Sequence, residues 1–277
     1  MNLPVPEERI IGLIAGKGLF PETFAAEAKS RGTRIVVAAF RGETQPELAD
    51  KAAVLEWFRV GQLVKVINFF KREGVEECVM MGQISPGRLF DLRPDVRVLT
   101  LLAKLRERNA ETLFGAVADE IERQGIKVLP STTYLDECLP GPGPVFGPKL
   151  KERGLQDAAF GLRIAKEVSR LDIGQSVVVR EGTVLAVEGF EGTNKCVRRG
   201  GELGRGKHVK LVKVSKPEQD FRFDVPVVGP HTISSCEEAG VSAVVIEAGR
   251  TLLLGKDEVQ RLCEQHKISL HALEPEE

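Results

Sequence analysis

In "RIIGLIAGKGLFPETFAAEAKSRGTRIVVAAF", Arg9 to Phe40, a short apolar run ends in glycine, a helical pattern follows, and a second apolar run closes the stretch. "RIIGLIAG" shows no polar alternation, which is what a strand buried on both faces requires. In "FPETFAAEAKSRG", Pro21 suits a first helical turn, Phe24, Ala25 and Ala28 share one stripe, and Gly32 can end the helix. "TRIVVAAF" then reads as a second strand. This strand, helix, strand order sets the reading of everything around it.

The pattern continues along the first half. "VGQLVKVINFFKREG" places Leu63, Ile67 and Phe70 at helical spacing and Gly74 at its end, "VEECVMMG" reads as a third strand, and "ETLFGAVADEIERQG" with "IKVLPS" adds a helix and a strand. Such alternation predicts an α/β fold, with a Rossmann-like parallel sheet covered by helices over residues 1–138. "LPGPGPVFGP", residues 139–148, is too rich in proline and glycine for a helix or a central strand, and reads as a linker or shaped loop. Residues 149–277 predict a C-terminal α+β domain of mixed or antiparallel strands. Its expected parts are a helix carrying Leu155, Ala158, Leu162 and Ala165, a hairpin in "SVVVREGTVLAVE", and strands in "HVKLVKV" and "FRFDVPV". A second hairpin in "VSAVVIEAGRTLLLG" and a terminal helix in "KDEVQRLCEQHK" complete it.

Composition narrows the function classes. The 277 residues are 42% hydrophobic and 29% charged, the mix of a soluble globular protein. With 39 Lys and Arg against 40 Asp and Glu, the net charge of -1 lacks the basic surplus of nucleic-acid binders. The five cysteines include no C-x-x-C pair, which argues against a zinc knuckle or a thioredoxin-like motif. Scattered thiols and an N-terminus unlike a signal peptide predict a reducing, cytoplasmic setting. The apolar stretch "VLTLLA" falls far short of the roughly 20 residues needed to span a bilayer.

Four stretches are candidate sites. In "GLIAGKGLFP", Gly16, Lys17 and Gly18 join a strand to a helix, so they form either a phosphate cradle or an ordinary tight turn. The full dinucleotide fingerprint is absent, since Pro21 occupies its last glycine. "MGQISPGRLF", with Gly82 and Ser85, follows a strand, and either faces the first loop across the crevice of an open α/β sheet or is a plain connecting loop. "EGFEGTNKCVRRGGELGRG", Glu188 to Gly206, reads as a flexible charged loop that either wraps a phosphorylated ligand through Arg198, Arg199 and Arg205 or is merely a mobile surface loop. In "KPEQDFRFDVPVVGP", Lys216 to Pro230, an extended backbone would present Asp220, Arg222 and Asp224 on one face and Phe221 and Phe223 on the other. Two carboxylates on one face can share a divalent cation, or form a plain surface ion-pair cluster with Arg222.

In order along the chain, "GLIAGKGLFP", "GQISPG", "DIGQSVVVREGTVLAVEGFEGTN", "RRGGELGRG" and "KPEQDFRFDVPVVGPHTI" resemble the LpxI-type UDP-2,3-diacylglucosamine pyrophosphatases. The resemblance implies two domains and a cytoplasmic step of lipid A synthesis, at the inner face of the inner membrane. It implies Mg2+-dependent hydrolysis of a lipid-linked nucleotide sugar to UMP and 2,3-diacylglucosamine 1-phosphate, with water attacking the uridine-side phosphorus. The implied catalytic residues are Asp220, Asp224 and Arg222, and the implied metal ligands are Asp220, Asp224 and Glu191. Gly16, Lys17, Gly18, Gly82, Ser85, Gly192, Thr193, Arg198 and Lys216 are the implied substrate contacts. Asn194 stands where the family usually carries aspartate. The implied partners are the lipid substrate, a peripheral membrane surface and a second copy of the chain, with no nucleic acid. Rival readings of the same residues are a nucleotide-cofactor oxidoreductase and a non-catalytic nucleotide-sugar binding module.

Overall fold

The structure is a computed structural model that describes residues 9–84, 95–105 and 110–275. It divides into two compact units, Met1–Leu135 with Asp220–Asp224, and Asp136–Gln219 with Val225–Glu277. The run Leu139–Pro148, expected as a linker, belongs to the second unit.

In the first unit, β1 (Ile10–Ala15), β2 (Arg34–Phe40), β3 (Val54–Phe58), β4 (Glu77–Met81) and β5 (Lys127–Val128) form one sheet in the order β3-β2-β1-β4-β5. Every neighbouring pair is parallel. Past the charged first residues Arg34 and Glu77, the central strands are apolar because both faces are covered: Ile11, Leu13, Val36 and Val79 are fully buried. Helix α1 (Leu19–Ser30) buries Phe20, Phe24, Ala25 and Ala28, the stripe read from the sequence. Helix α2 (Leu63–Arg72) buries Val66, Ile67 and Phe70. Asp95 ties it to α3 (Val96–Lys104), since one carboxylate accepts from the Val64 amide at 2.7 Å and the Val98 amide at 3.0 Å. Helix α4 (Ala110–Arg123) leads into β5, which has two residues in place of the longer strand expected from "IKVLPS". Strand β3, half-buried at the sheet edge, escaped the sequence reading because Glu56 splits its apolar residues into two short pieces, Val54-Leu55 and Trp57-Phe58.

The second unit is built on a six-stranded mixed sheet in the order β6-β13-β11-β9-β7-β8. Its strands are β6 (Gly143–Phe146), β7 (Ser176–Arg180), β8 (Thr183–Val187), β9 (Val209–Lys213), β11 (Val241–Glu247) and β13 (Ser269–Leu273). Helix α5 (Glu152–Arg170) covers one face, packing Ala158, Leu162 and Ala165 on Val177, Val179, Val212 and Val245. The opposite face packs on α6 (Thr193–Gly204), α7 (Pro230–Glu238) and α8 (Lys256–His266) through Cys196, Val197, Ile233, Val259 and Leu262.

Four expectations change. The Pro/Gly run contains β6, an edge strand antiparallel to β13, where proline costs no ladder bond on its open side. The glycine-dense run after β8 is helix α6, not a flexible loop. A Cβ on Gly200 would lie 2.4 Å from Val178 Cγ1, on Gly201 2.1 Å from the Ala239 carbonyl oxygen, and on Gly204 2.3 Å from Val209 Cγ2. These glycines let the helix settle onto the sheet and onto the end of α7. "VSAVVIEAGRTLLLG" is not a hairpin: β11 pairs in parallel with β9 and β13, while β12 (Leu252–Leu253) pairs in parallel with β10 (Val227–Val228) in a separate sheet. The stretch Phe221 to Phe223 is a turn rather than a strand.

Candidate active site

The order β3-β2-β1-β4-β5 reverses direction between β1 and β4, and in open α/β sheets the carboxyl ends at such a point form the ligand crevice. Gly16, Lys17 and Gly18 follow β1, and Gly82 follows β4. The two loops are bonded together: the Gly16 amide donates to the Met81 carbonyl at 2.7 Å, the Lys17 amide to the Gln83 carbonyl at 2.9 Å, and the Gln83 amide back to the Lys17 carbonyl at 3.1 Å. A Cβ on Gly16 would sit 2.6 Å from the Gln83 oxygen, and one on Gly82 2.8 Å from the Lys17 oxygen. Both glycines are therefore demanded by backbone packing between the loops. Gly18 differs. It is exposed, has φ +96°, and heads α1 with open space around its Cα. Ser85 lies outside the described residues.

Residues Asp220–Asp224 form a turn within the first unit. The Phe223 and Asp224 amides donate to the Asp220 carbonyl at 3.2 and 3.0 Å. The Asp220 carboxylate accepts from the Arg222 amide at 3.0 Å, the side-chain-to-backbone bond that lets aspartate close a turn. Ser131, after β5, holds the turn from outside: its amide donates to the Phe221 carbonyl at 2.7 Å. Its hydroxyl bridges the Met80 and Arg222 carbonyls at 2.6 and 2.9 Å. Phe223 stacks at a tilt on Phe114 of α4, 6.2 Å between centroids.

Arg222 is the hub. Its Nε and Nη2 donate to both Asp220 oxygens at 2.7 to 3.2 Å. Its Nη2 also lies 3.0 Å from Asp119 Oδ1, and its Nη1 donates to Glu122 Oε2 at 2.9 Å. One guanidinium is thus spread over three carboxylates, two of them one turn apart on α4. The Arg222 hydrogen bonds hold the Asp220 carboxyl below the usual carboxylate range, and the same partners push the guanidinium further up. Asp224 is half-buried at the end of the turn. The expected alternation of Asp220, Arg222 and Asp224 on a strand face fails because the Asp220 side chain bonds its own backbone two residues on. Sequence reading also missed Asp119, Glu122 and Ser131; the i, i+3 acids in "ADEIER" were the available signal.

The remaining expected residues lie in the second unit. Glu191 accepts from Arg199 at 2.5 Å and from the Gly189 amide at 3.0 Å, and the Arg199 bond lowers its pKa. Gly192, with φ +84°, heads α6, and the Thr193 hydroxyl donates to Glu188 at 2.9 Å. Arg198 pairs loosely with Glu238 at 3.7 Å on the surface. The Lys216 amide donates to Gln219 at 2.6 Å, and its ammonium pairs with Asp172. Behind it, Glu247 accepts from Lys166 at 2.8 Å and from the Ser215 amide at 2.5 Å with no exposed surface.

Residues 10–138 match the LpxI N-terminal domain and residues 141–271 the LpxI C-terminal domain. The chain belongs to the LpxI family. Among its relatives, the UDP-2,3-diacylglucosamine pyrophosphatase LpxI of Caulobacter vibrioides is 30% identical over 279 residues, covering 97% of this chain and 99% of that protein. Similar solved structures include the biotin carboxylase domain of Hydrogenobacter thermophilus 2-oxoglutarate carboxylase, 14% identical with a TM-score of 0.27, over 62% of this chain and 35% of that one. The biotin carboxylase subunit of a pyruvate carboxylase is 15% identical with a TM-score of 0.28, over 65% of this chain and 35% of that one. The chain thus spans about a third of those carboxylases, and scores at that level support no argument about fold or chemistry.

Among the described residues no three His, Cys, Asp or Glu side chains form a group able to hold a metal on their own. Mg2+ does not ask for such a cage: it keeps several waters and is commonly held by one or two carboxylates together with substrate phosphates. Asp220, kept ionised by Arg222, and the half-buried Asp224 supply hard oxygen donors of that kind on one turn.

Proposed function

We propose that this LpxI-family chain hydrolyses UDP-2,3-diacylglucosamine to UMP and 2,3-diacylglucosamine 1-phosphate in lipid A synthesis. What supports the reading most is that both LpxI domain families match in order, with a pyrophosphatase relative aligned end to end. In the reaction a water oxygen forms a new bond to the uridine-side phosphorus, the anhydride P–O bond breaks toward the sugar 1-phosphate, and a proton leaves for solvent. Asp220 and Asp224 would hold Mg2+. The ion, when bound, acidifies water and neutralises phosphoryl oxygens.

Arg222 acts as a positioning residue, since its donors are committed to Asp220, Asp119 and Glu122. It fixes the Asp220 carboxylate in one orientation. Lys17 and Gly18, exposed at the head of α1, suit a phosphate. Gly16 and Gly82 shape that loop. Gly192, Thr193, Arg198 and Lys216 are assigned to the rest of the substrate. A diacylated substrate brings the chain to a bilayer surface from outside the membrane; among the described residues no helix is long and apolar enough to cross one.

The test is UMP release from UDP-2,3-diacylglucosamine in water enriched in oxygen-18. The label is expected in UMP. Label in the sugar phosphate would overturn the direction of attack, and no hydrolysis would overturn the activity.

A further inference from the structure

The second unit has a cavity of about 620 Å3 at the amino-terminal ends of β9 and β13. Lys216 stands beyond the opposite end of β9, and α6, with Gly192 at its head and Thr193 and Arg198 within it, packs on the other face of the sheet. The cavity is therefore distinct from the residues of this unit assigned to the substrate. Its size is that of a small-molecule pocket.

Ala243 pairs in register with Ser269 on one side and Lys210 on the other. Its methyl leaves room between a hydroxyl and an ammonium. Ser269 is 4% exposed and lines the cavity, yet its hydroxyl has no hydrogen-bond partner among the described residues. A buried hydroxyl left in that condition calls for an acceptor supplied from elsewhere. Lys210, 6% exposed, donates to Asp157 at 2.7 Å and to the His208 carbonyl at 3.1 Å, so one of its three N–H groups remains.

The acids of the lining are already engaged. Asp157 accepts from Lys210 and from the Glu181 and Gly182 amides, and Glu181 pairs with Arg153 at 3.6 Å. Lys149 and Lys151, exposed at the rim, have no ion-pair partner among the described residues. Lys151 heads the nineteen-residue helix α5 without a side-chain cap, so the first-turn amides remain donors. Leu150 and Phe160 supply an apolar wall. Donors and positive charge therefore converge on a space whose carboxylates are spent.

We propose that this cavity binds a phosphomonoester with a short apolar body, at a site separate from the hydrolytic one. Pro148 joins this wall, and the glycine before it is set by packing: Gly147, at φ +70°, has no space for a Cβ, which would fall 2.1 Å from the Ile268 carbonyl oxygen.

The test is calorimetric titration of the full chain with hexyl phosphate, with inorganic phosphate, hexanol and phosphatidic-acid vesicles as separate arms. Hexyl phosphate is expected to bind more tightly than inorganic phosphate and hexanol. Ser269→Ala is expected to weaken it about tenfold, the loss of one bond to a charged acceptor, while Tm stays level or rises. The double variant Lys149→Glu, Lys151→Glu should also weaken it, with UMP release unchanged in both proteins. No binding at millimolar hexyl phosphate, equal binding by all variants, vesicle binding alone, or a marked fall in the Tm of Ser269→Ala would each overturn the proposal.

Discussion

Arg222 Nη1 donates to Glu122 Oε2 at 2.9 Å, although one hundred positions separate the two residues along the chain. The same guanidinium holds Asp119 and both oxygens of Asp220. A five-residue turn from late in the sequence is thereby pinned to α4 by charge, to Ser131 by two hydrogen bonds and to Phe114 by a ring contact. Asp220 and Asp224, the proposed metal ligands, owe their placement to that pinning.

Alanine at Asp224, or asparagine at Asp220, is expected to cut UMP release at least about a hundredfold, the scale of losing charge stabilisation at a phosphoryl centre. Arg222→Lys keeps the charge but loses the two-pronged geometry. It should lower kcat about tenfold with little change in KM. Steady-state kinetics on folded variants checks both. Near-native rates for all three would remove the turn from the mechanism.

Gly201→Ala forces a methyl to within 2.1 Å of the Ala239 carbonyl oxygen, a backbone atom that cannot swing aside. The cost should be about 1–3 kcal/mol, as for overpacking elsewhere. Gly182→Ala is the control: its Cβ would meet nothing within 4 Å, and only its φ of +73° opposes the change. Urea midpoints of the two variants, with m-values to confirm two-state behaviour, decide the matter.

Lys166→Met leaves the fully buried Glu247 carboxylate with the Ser215 amide and hydroxyl as its remaining donors. Stripping one partner from a buried pair costs about 3–5 kcal/mol. Lys51→Met, at a pair with Glu22 that is 3.5 Å apart and partly exposed, should cost under about 1 kcal/mol. Thermal unfolding of the two variants is expected to separate them by several degrees.

Acid lability follows from Asp220 and Asp157. Arg222 lowers the first; in the second, burial raises the pKa, but the Lys210, Gly182 and Glu181 hydrogen bonds outweigh it. A folded-state pKa below the unfolded one means that the unfolded chain binds more protons in that window. The stabilisation is therefore complete above about pH 4 and is lost as pH falls through the folded values. Asp157→Asn should flatten the stability curve below pH 4, measured as the urea midpoint against pH. An unchanged slope would show that the carboxylate contributes nothing there.

Burial pushes the Cys78 and Cys196 thiols up to about 12 and Cys263 to about 11, and it also raises Cys236. Cys138 alone among the five is not buried. A chromogenic disulfide reagent at neutral pH should therefore titrate one fast thiol per native chain, and all five in denaturant. Fast reaction of Cys196 would mean that α6 opens readily from the sheet.

The first unit was legible wherever burial writes a local period. Ile11, Leu13 and Ala15 are apolar because β1 has helices on both faces, and Phe24, Ala25 and Ala28 recur because α1 has one buried stripe. Motif order along the chain carried the family. Tertiary structure alone decided the rest. Gly200, Gly201 and Gly204 look the same in sequence whether a ligand or a strand comes close, because glycine records only that something does. Asp220, Arg222 and Asp224 alternate as a strand would, yet Asp220 closes a turn on the Arg222 amide, and Ser131, Asp119 and Glu122 hold that turn from far away in the chain. Local periodicity reports which side of the backbone is covered. What covers it, and where a charge finds its counter-charge, is settled only when distant segments meet.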